Sequence, residues 1–137
     1  MDYEAFTRDL KADIRANGRP TSGFFAGQPL MILTSKGAKS GQDREALVTY
    51  SRDGDRYVIA ASKSGAPTNP DWYHNLRANP EATVETDKET FRVRATEVTG
   101  EERDRLYELH ATHNPQFREY PDKTDRVIPV FVLERID

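Results

Sequence analysis

Glu45–Ala61 reads EALVTYSRDGDRYVIAA, and this stretch decides the fold class. Ala46, Val48 and Tyr50 recur at every second position, the period of a strand with one buried face. Asp53-Gly54 is a dipeptide suited to a tight hairpin turn, and Arg56 to Ala61 resumes as a strand. The same design returns downstream, where Ala82–Thr86 and Thr90–Val98 flank Asp87-Lys88. In the second of these, Phe91, Val93 and Ala95 share a face. Val98 is out of phase with them, which predicts a bulge near Thr96. Upstream, Leu30–Thr34 is a short apolar run expected to form a buried strand. Val127–Arg135 is the last strand, with Pro129 implying an edge position or a bulge.

Helices punctuate this pattern without alternating with it. Tyr3, Phe6, Leu10 and Ile14 fall on one stripe, predicting an amphipathic helix over 3–16 that stops at Asn17-Gly18. Residues 19–29 read as a loop. Pro70 opens a short helix through Ala78, ended by Asn79-Pro80. Thr99 and Glu102 have capping-box spacing before a helix from about Gly100 to Thr112, broken at Asn114-Pro115. A polar loop, 114–126, follows and holds Phe117 and Tyr120. Strand–helix–parallel-strand units are missing, so the expected fold is a mainly β, antiparallel α+β barrel, not a Rossmann-type sheet. Residues 1–18 form its N-terminal helix, residues 19–137 the barrel, and together they make one domain.

Composition narrows the function. The 137 residues include no cysteine, which removes disulfides, thiolate metal sites and cysteine nucleophiles. No apolar run approaches the roughly 18 to 20 residues that span a bilayer, and charges interrupt the N-terminus too often for a signal peptide. A net charge of −3 argues against a nucleic-acid binder, and a cytoplasmic domain is expected. The charge is unevenly spread. Residues 35–44 and 62–79 together carry five basic and two acidic side chains, a net of +3 on a body of −6. These Gly/Ser/Pro-rich stretches read either as an anion site or as two solvated loops.

Two constellations could carry chemistry. Gly37-Ala38-Lys39-Ser40-Gly41, followed by Arg44, lets backbone N–H groups and two cations converge on an anion, although the spacing is not that of a P-loop. Ala60-Ala61-Ser62-Lys63-Ser64-Gly65-Ala66-Pro67 leads into Asn69-Pro70-Asp71-Trp72-Tyr73-His74-Asn75, where small residues leave room for a flat ring. Trp72 is either a core anchor or a wall of that space. His110 and His113 have helical metal-pair spacing but no third ligand, so no metal site is expected and both are expected to face solvent. Ser62 lacks the partners of a hydrolase triad. Tyr120 reads equally as a hydrogen-bond donor to a reacting oxygen or as packing.

LTSKGAKSGQDR (33–44), GDRYVIAASKSGAPTNPDWYHNLRANPEATVE (54–85) and FREYPDKTDRVIPVFVLER (117–135) resemble the deazaflavin-dependent nitroreductase family, small split β-barrel oxidoreductases that use coenzyme F420. The resemblance runs from about Asn17 to Arg135. It implies that Ala38, Lys39, Ser40 and Arg44 bind the phosphate and acidic tail of F420, and that Leu47, Val48 and Thr49 lie along it. It further implies that Ala60, Ala61, Ser62 and Lys63 meet the deazaflavin ring, with Asp71, Trp72, Tyr73, His74 and Asn75 closing the other side. Phe117, Tyr120 and Lys123 would line the substrate side, and Ser62 and Tyr120 would serve the reacting oxygen. The implied reaction is hydride transfer from reduced deazaflavin to an electron-poor small molecule: a quinone, an activated alkene or a nitro compound. Phe117 and Lys123 stand where the best-known nitroreductases carry tyrosines, so the resemblance does not bring activity on bicyclic nitroimidazoles with it. Alternatives are an FMN-binding split-barrel reductase and a non-catalytic carrier of F420 or a tetrapyrrole. Monomer and homodimer both remain open. Stable membrane insertion is not expected of so charged a helix, and peripheral contact is left open.

Overall fold

A computed structural model describes residues 3–23, 25–65, 68–124 and 126–136. Ala66 and Pro67 of the second loop, and the side chains of Tyr3 and Ser64, lie outside what is described. Among the described residues there are three helices, α1 (Tyr3–Asn17), α2 (Asp71–Ala78) and α3 (Gly100–His113). The strands are β1 (Leu30–Lys36), β2 (Asp43–Thr49), β3 (Ser51–Asp53), β4 (Arg56–Ala60), β5 (Glu81–Thr86), β6 (Glu89–Val98) and β7 (Val130–Arg135). They pair antiparallel in one sheet of order β2-β1-β5-β6-β7-β4-β3. No described helix is long and apolar enough to cross a membrane.

The alternating run that the sequence presents as one strand, 45–51, is broken at Tyr50. Its two halves lie at opposite edges of the sheet. Consecutive strands joined by one residue can occupy both edges only if the sheet curls until the edges meet there, which makes the half-barrel. Tyr50 is only 1% exposed. Its N–H donates to Pro29 O at 2.9 Å, and its hydroxyl lies 2.9 Å from Thr86 Oγ1 and 3.2 Å from Asp87 Oδ2. The corner is thereby pinned to the β5–β6 turn, where Asp87 and Lys88 both take left-handed φ values of 51° and 66°. Two such residues make the turn type that matches the twist of a hairpin.

Both faces of β4 and β7 are covered. Tyr57 and Ile59 of β4 and Phe131 and Leu133 of β7 pack inside the curl against Trp72, Tyr73 and Leu76 of α2. The alternate residues, Val58, Val130 and Val132, pack outside against Leu106, Tyr107 and Ala111 of α3. This explains the continuous apolar runs in those strands. It also explains Val98, whose side chain packs with the α3 cluster on the outer face. The β6–β7 register runs unbroken from Val93↔Arg135 to Val98↔Val130, so the expected bulge near Thr96 is not there.

Three other expectations are corrected. Thr99 caps α3 by backbone position only and makes no side-chain cap bond. Glu102 instead accepts hydrogen bonds from Arg56 and Arg105. Pro129 sits neither at an edge nor in a bulge. It precedes the central strand β7, where its missing N–H costs no ladder bond and its carbonyl accepts Ala61 N–H at 2.8 Å. The stripe of α1 docks by its C-terminal half, Ile14 with Leu30 and Ile32 and Leu10 beside them, while Phe6 stays 38% exposed. Arg15 and Lys11 fasten that half to Glu45 of β2, at 2.7 and 3.0 Å.

Candidate active site

The β1–β2 turn is closed by Gly37 N–H to Gln42 O at 2.7 Å and by Gly41 N–H to Gly37 O at 2.9 Å. A Cβ on Gly37 would stand 2.6 Å from Ser40 Oγ, so Ser40 would have to turn aside to admit one. Asn75 of α2 supports it from behind: Oδ1 accepts Ala38 N–H at 2.9 Å, and Nδ2 lies 3.4 Å from Ser35 Oγ. Asn75 and Ser35 are both buried.

The second stretch begins as β4 ends. Alternation sends Ala60 and Ser62 toward an open trough and Ala61 into the core. A 3-10 turn follows over Lys63–Gly65, with Lys63 at φ 48°. Pro70 then caps α2 in extended conformation. Asp71, Trp72, His74 and Asn75 face the trough, whereas Tyr73 turns inward onto Phe131 at 5.8 Å. Trp72 resolves its alternative by being both things. It packs edge-on to Phe131, with centroids 6.0 Å apart, and borders the trough.

The trough has a volume of about 1260 Å³. That exceeds the roughly 300 to 1,000 Å³ usual for one small ligand and leaves room for two partners. Ala38, Lys39, Ser40, Arg44, Leu47, Val48 and Thr49 line it. Ala60, Ser62, Lys63, the α2 residues, Phe117 and Tyr120 line it as well. Ala61, Tyr73 and Lys123 do not line it. The stem of Lys123 instead packs on Gly65, where an added Cβ would come within 2.8 Å of Lys123 Cβ.

Four cations, Lys11, Lys39, Arg44 and Lys63, and two carboxylates, Glu45 and Asp71, line the trough, a net of +2. Glu45 is engaged by Lys11 and Arg15, whose hydrogen bonds hold its carboxyl below the usual range. Among the described residues Lys39, Arg44 and Lys63 have no carboxylate partner, whereas Lys36 pairs with Asp43 and Arg77 with Glu97. The charge excess counted from sequence therefore reaches the trough only through those three.

Residues 6–135 match the family model of the F420H2-dependent quinone reductases. The chain belongs to the F420H2-dependent quinone reductase family. An F420H2-dependent quinone reductase of Mycobacterium tuberculosis (strain H37Rv) is 40% identical over 122 residues, 87% of this chain and 82% of that one. A solved F420H2-dependent reductase is similar over 77% of this chain and 94% of its own, with a TM-score of 0.71 and 38% identity. A solved domain-swapped dimer covers 96% of this chain and 95% of its own, with a TM-score of 0.73 and 34% identity.

In this family member two parts of the site escape motif reading. The first is the apolar lip of Phe6, Leu10 and Phe25, contributed by α1 and the loop after it. The helical stripe at 6 and 10 is the only signal in the sequence, and nothing local says what that stripe covers. The second is His110, expected to face solvent but 0% exposed. Its Nδ1 is 2.9 Å from Ser51 Oγ, its ring is 4.3 Å from that of Phe117, and burial pushes its pKa down to about 4. It stands behind the Phe117 wall, and no cluster of three metal-ligating side chains occurs among the described residues.

Proposed function

We propose that this chain binds reduced F420 in the trough and transfers hydride to a quinone held beside it. The observation that carries the proposal is that one trough is lined both by cations with no carboxylate partner among the described residues, Lys39 and Arg44, and by the small residues Ala60 and Ser62 beside Trp72. F420 has an acidic, phosphate-bearing tail and a flat tricyclic ring, and these two sets of residues suit those two parts. When bound, reduced F420 supplies a hydride, two electrons moving together, so the protein's tasks are binding, orientation and electrostatics.

Each residue then has a physical task. Lys39 offers a mobile charge and Arg44 a planar fork to the anionic tail. Asn75 holds the turn that presents Ala38 and Lys39. Ala60 and Ser62 let a ring lie close to the backbone, and the Trp72 edge limits its sideways movement. A quinone that gains a hydride needs one proton to become a hydroquinone, and negative charge builds on its oxygen meanwhile. We assign Ser62 Oγ and Tyr120 Oη, whose residues line the trough, as the donors to that oxygen. A donor so used is worth about 3 kcal/mol, on the order of a hundredfold in rate. Of the acceptors expected from sequence, the family description favours the quinone. We place the protein in the cytoplasm, with any membrane contact peripheral.

Titrating F420 and FMN separately into the protein, then following F420H2 oxidation with a panel of quinones, enones and nitroaromatics, tests the proposal. F420 binding with fastest turnover on quinones is expected. Binding of FMN in place of F420, or F420 binding without turnover of any acceptor, would overturn it.

A further inference from the structure

Arg126 falls within the 117–135 stretch but has been given no role there and does not line the trough, yet it grips the segment that carries Ser62. Its Nη2 donates to Ser62 O at 2.6 Å and its Nη1 to Asn69 Oδ1 at 2.7 Å. The planar fork thus spans both ends of the passage from β4 to α2. The Ser62 carbonyl also accepts Gly65 N–H at 3.0 Å, closing the 3-10 turn over Lys63. Lys63 holds φ 48° there, a conformation that costs a non-glycine residue energy and persists where surroundings over-determine it. Gly65, at φ 81°, abuts the other wall: a Cβ on it would stand 2.8 Å from Lys123 Cβ and 3.4 Å from Tyr120 O. The turn bearing Tyr120 and the turn bearing Lys63 therefore press on each other.

We infer that Arg126 is a positioning residue that sets Lys63 for the cofactor by clamping the Ser62 carbonyl and Asn69 together. The inference rests on the functional reading above only for what Lys63 serves; the clamp itself belongs to the ligand-free chain. Lysine cannot replace it, because a point charge on a flexible stem cannot serve two acceptors at both ends of a loop. Hydrogen bonds from a charged donor shift an equilibrium by about tenfold or more when the donor is lost.

The test uses Arg126→Ala, Arg126→Lys, Lys63→Ala and the double variant Arg126→Ala/Lys63→Ala. In the ligand-free protein, the Gly65 amide should exchange about tenfold faster in Arg126→Ala, with Arg126→Lys close to it. F420 affinity by fluorescence titration should fall about tenfold in Arg126→Ala and no further in the double variant than in Lys63→Ala. A global loss of stability would not produce that non-additivity. Unchanged Gly65 exchange, or losses that multiply in the double variant, would overturn the inference. Should Arg126→Ala not fold, Arg126→Lys carries both readouts. If the unaltered protein binds no F420, the functional reading fails while the Gly65 exchange still decides the clamp.

Discussion

Replacing Asn75 by alanine separates support of the turn from contact with a ligand. The substitution removes the acceptor of the Ala38 N–H at 2.9 Å and a weaker contact with Ser35 at 3.4 Å, in a buried place. One good hydrogen bond is worth about 1 kcal/mol, and truncation of a buried amide about as much again. A loss of about 2 kcal/mol should lower the melting temperature by about 5 to 8 °C in a domain of this size. The turn would then be held by its two internal bonds from Gly37 and Gly41 alone. Ordering one or two residues on binding costs about 1.5 to 3 kcal/mol, which weakens F420 about ten- to a hundredfold. Asn75→Asp keeps the acceptor for Ala38 but sets a carboxylate beside Lys39 and Arg44. Its melting temperature should fall less than that of Asn75→Ala. Its affinity loss should shrink as salt is added, while that of Asn75→Ala should not. Calorimetry and fluorescence titration at two ionic strengths check all of this. An Asn75→Ala protein that melts lower yet binds F420 as tightly as the unaltered one would refute the reasoning.

Lys39→Ala and Arg44→Ala should each weaken F420 about tenfold at low salt, with circular dichroism unchanged, because among the described residues neither side chain has a carboxylate partner to lose; equal affinity in both variants would leave them as surface charges. Tyr120→Phe should lower kcat for quinone reduction by about tenfold or more and leave F420 affinity alone, as steady-state kinetics beside titration will show. His110 makes stability depend on pH. Its folded pKa of about 4 lies below the unfolded value near 6.5. Its contribution is therefore complete above about pH 6.5 and is lost as the pH falls toward 4, about 3 kcal/mol in all. Urea unfolding at several pH values should show that slope in the unaltered protein and a flatter one in His110→Gln.

The hairpins and the short helix were legible because their signals are local: Asp53-Gly54, Asp87-Lys88, and Pro70 before Trp72. What stayed hidden depends on the whole sheet. Nothing in the alternation of Ala46, Val48 and Tyr50 tells that the strand changes edges at Tyr50, since both halves keep the same period. Val98 looks out of phase because it shares the outer side of β6 with the exposed Arg92, Arg94 and Thr96, and only at the end of the strand does α3 cover that side. Thr99 and Glu102 have the right spacing for a capping box, but Arg56 and Arg105 compete for Glu102, and they come from elsewhere in the fold or from the next helical turn. Within the site, Ala61 and Tyr73 could have been set aside from sequence. A strand that turns Ala60 and Ser62 to the trough must turn Ala61 away from it, and neighbouring helical residues such as Trp72 and Tyr73 point different ways. Lys123 could not, because its fate depends on a glycine 58 positions earlier whose missing side chain makes room for it.

The corner at Tyr50 carries a consequence for how such a protein diversifies. The opening beside β2 is the unclosed remainder of a curled sheet, so its breadth follows the curvature of the entire strand array. Exchanges of bulk among Tyr57, Phe91 and Phe131, none of them bordering the opening, would widen or narrow it by degrees. Selectivity for one ring system over another can thus drift through the hydrophobic interior while every residue at the rim stays the same.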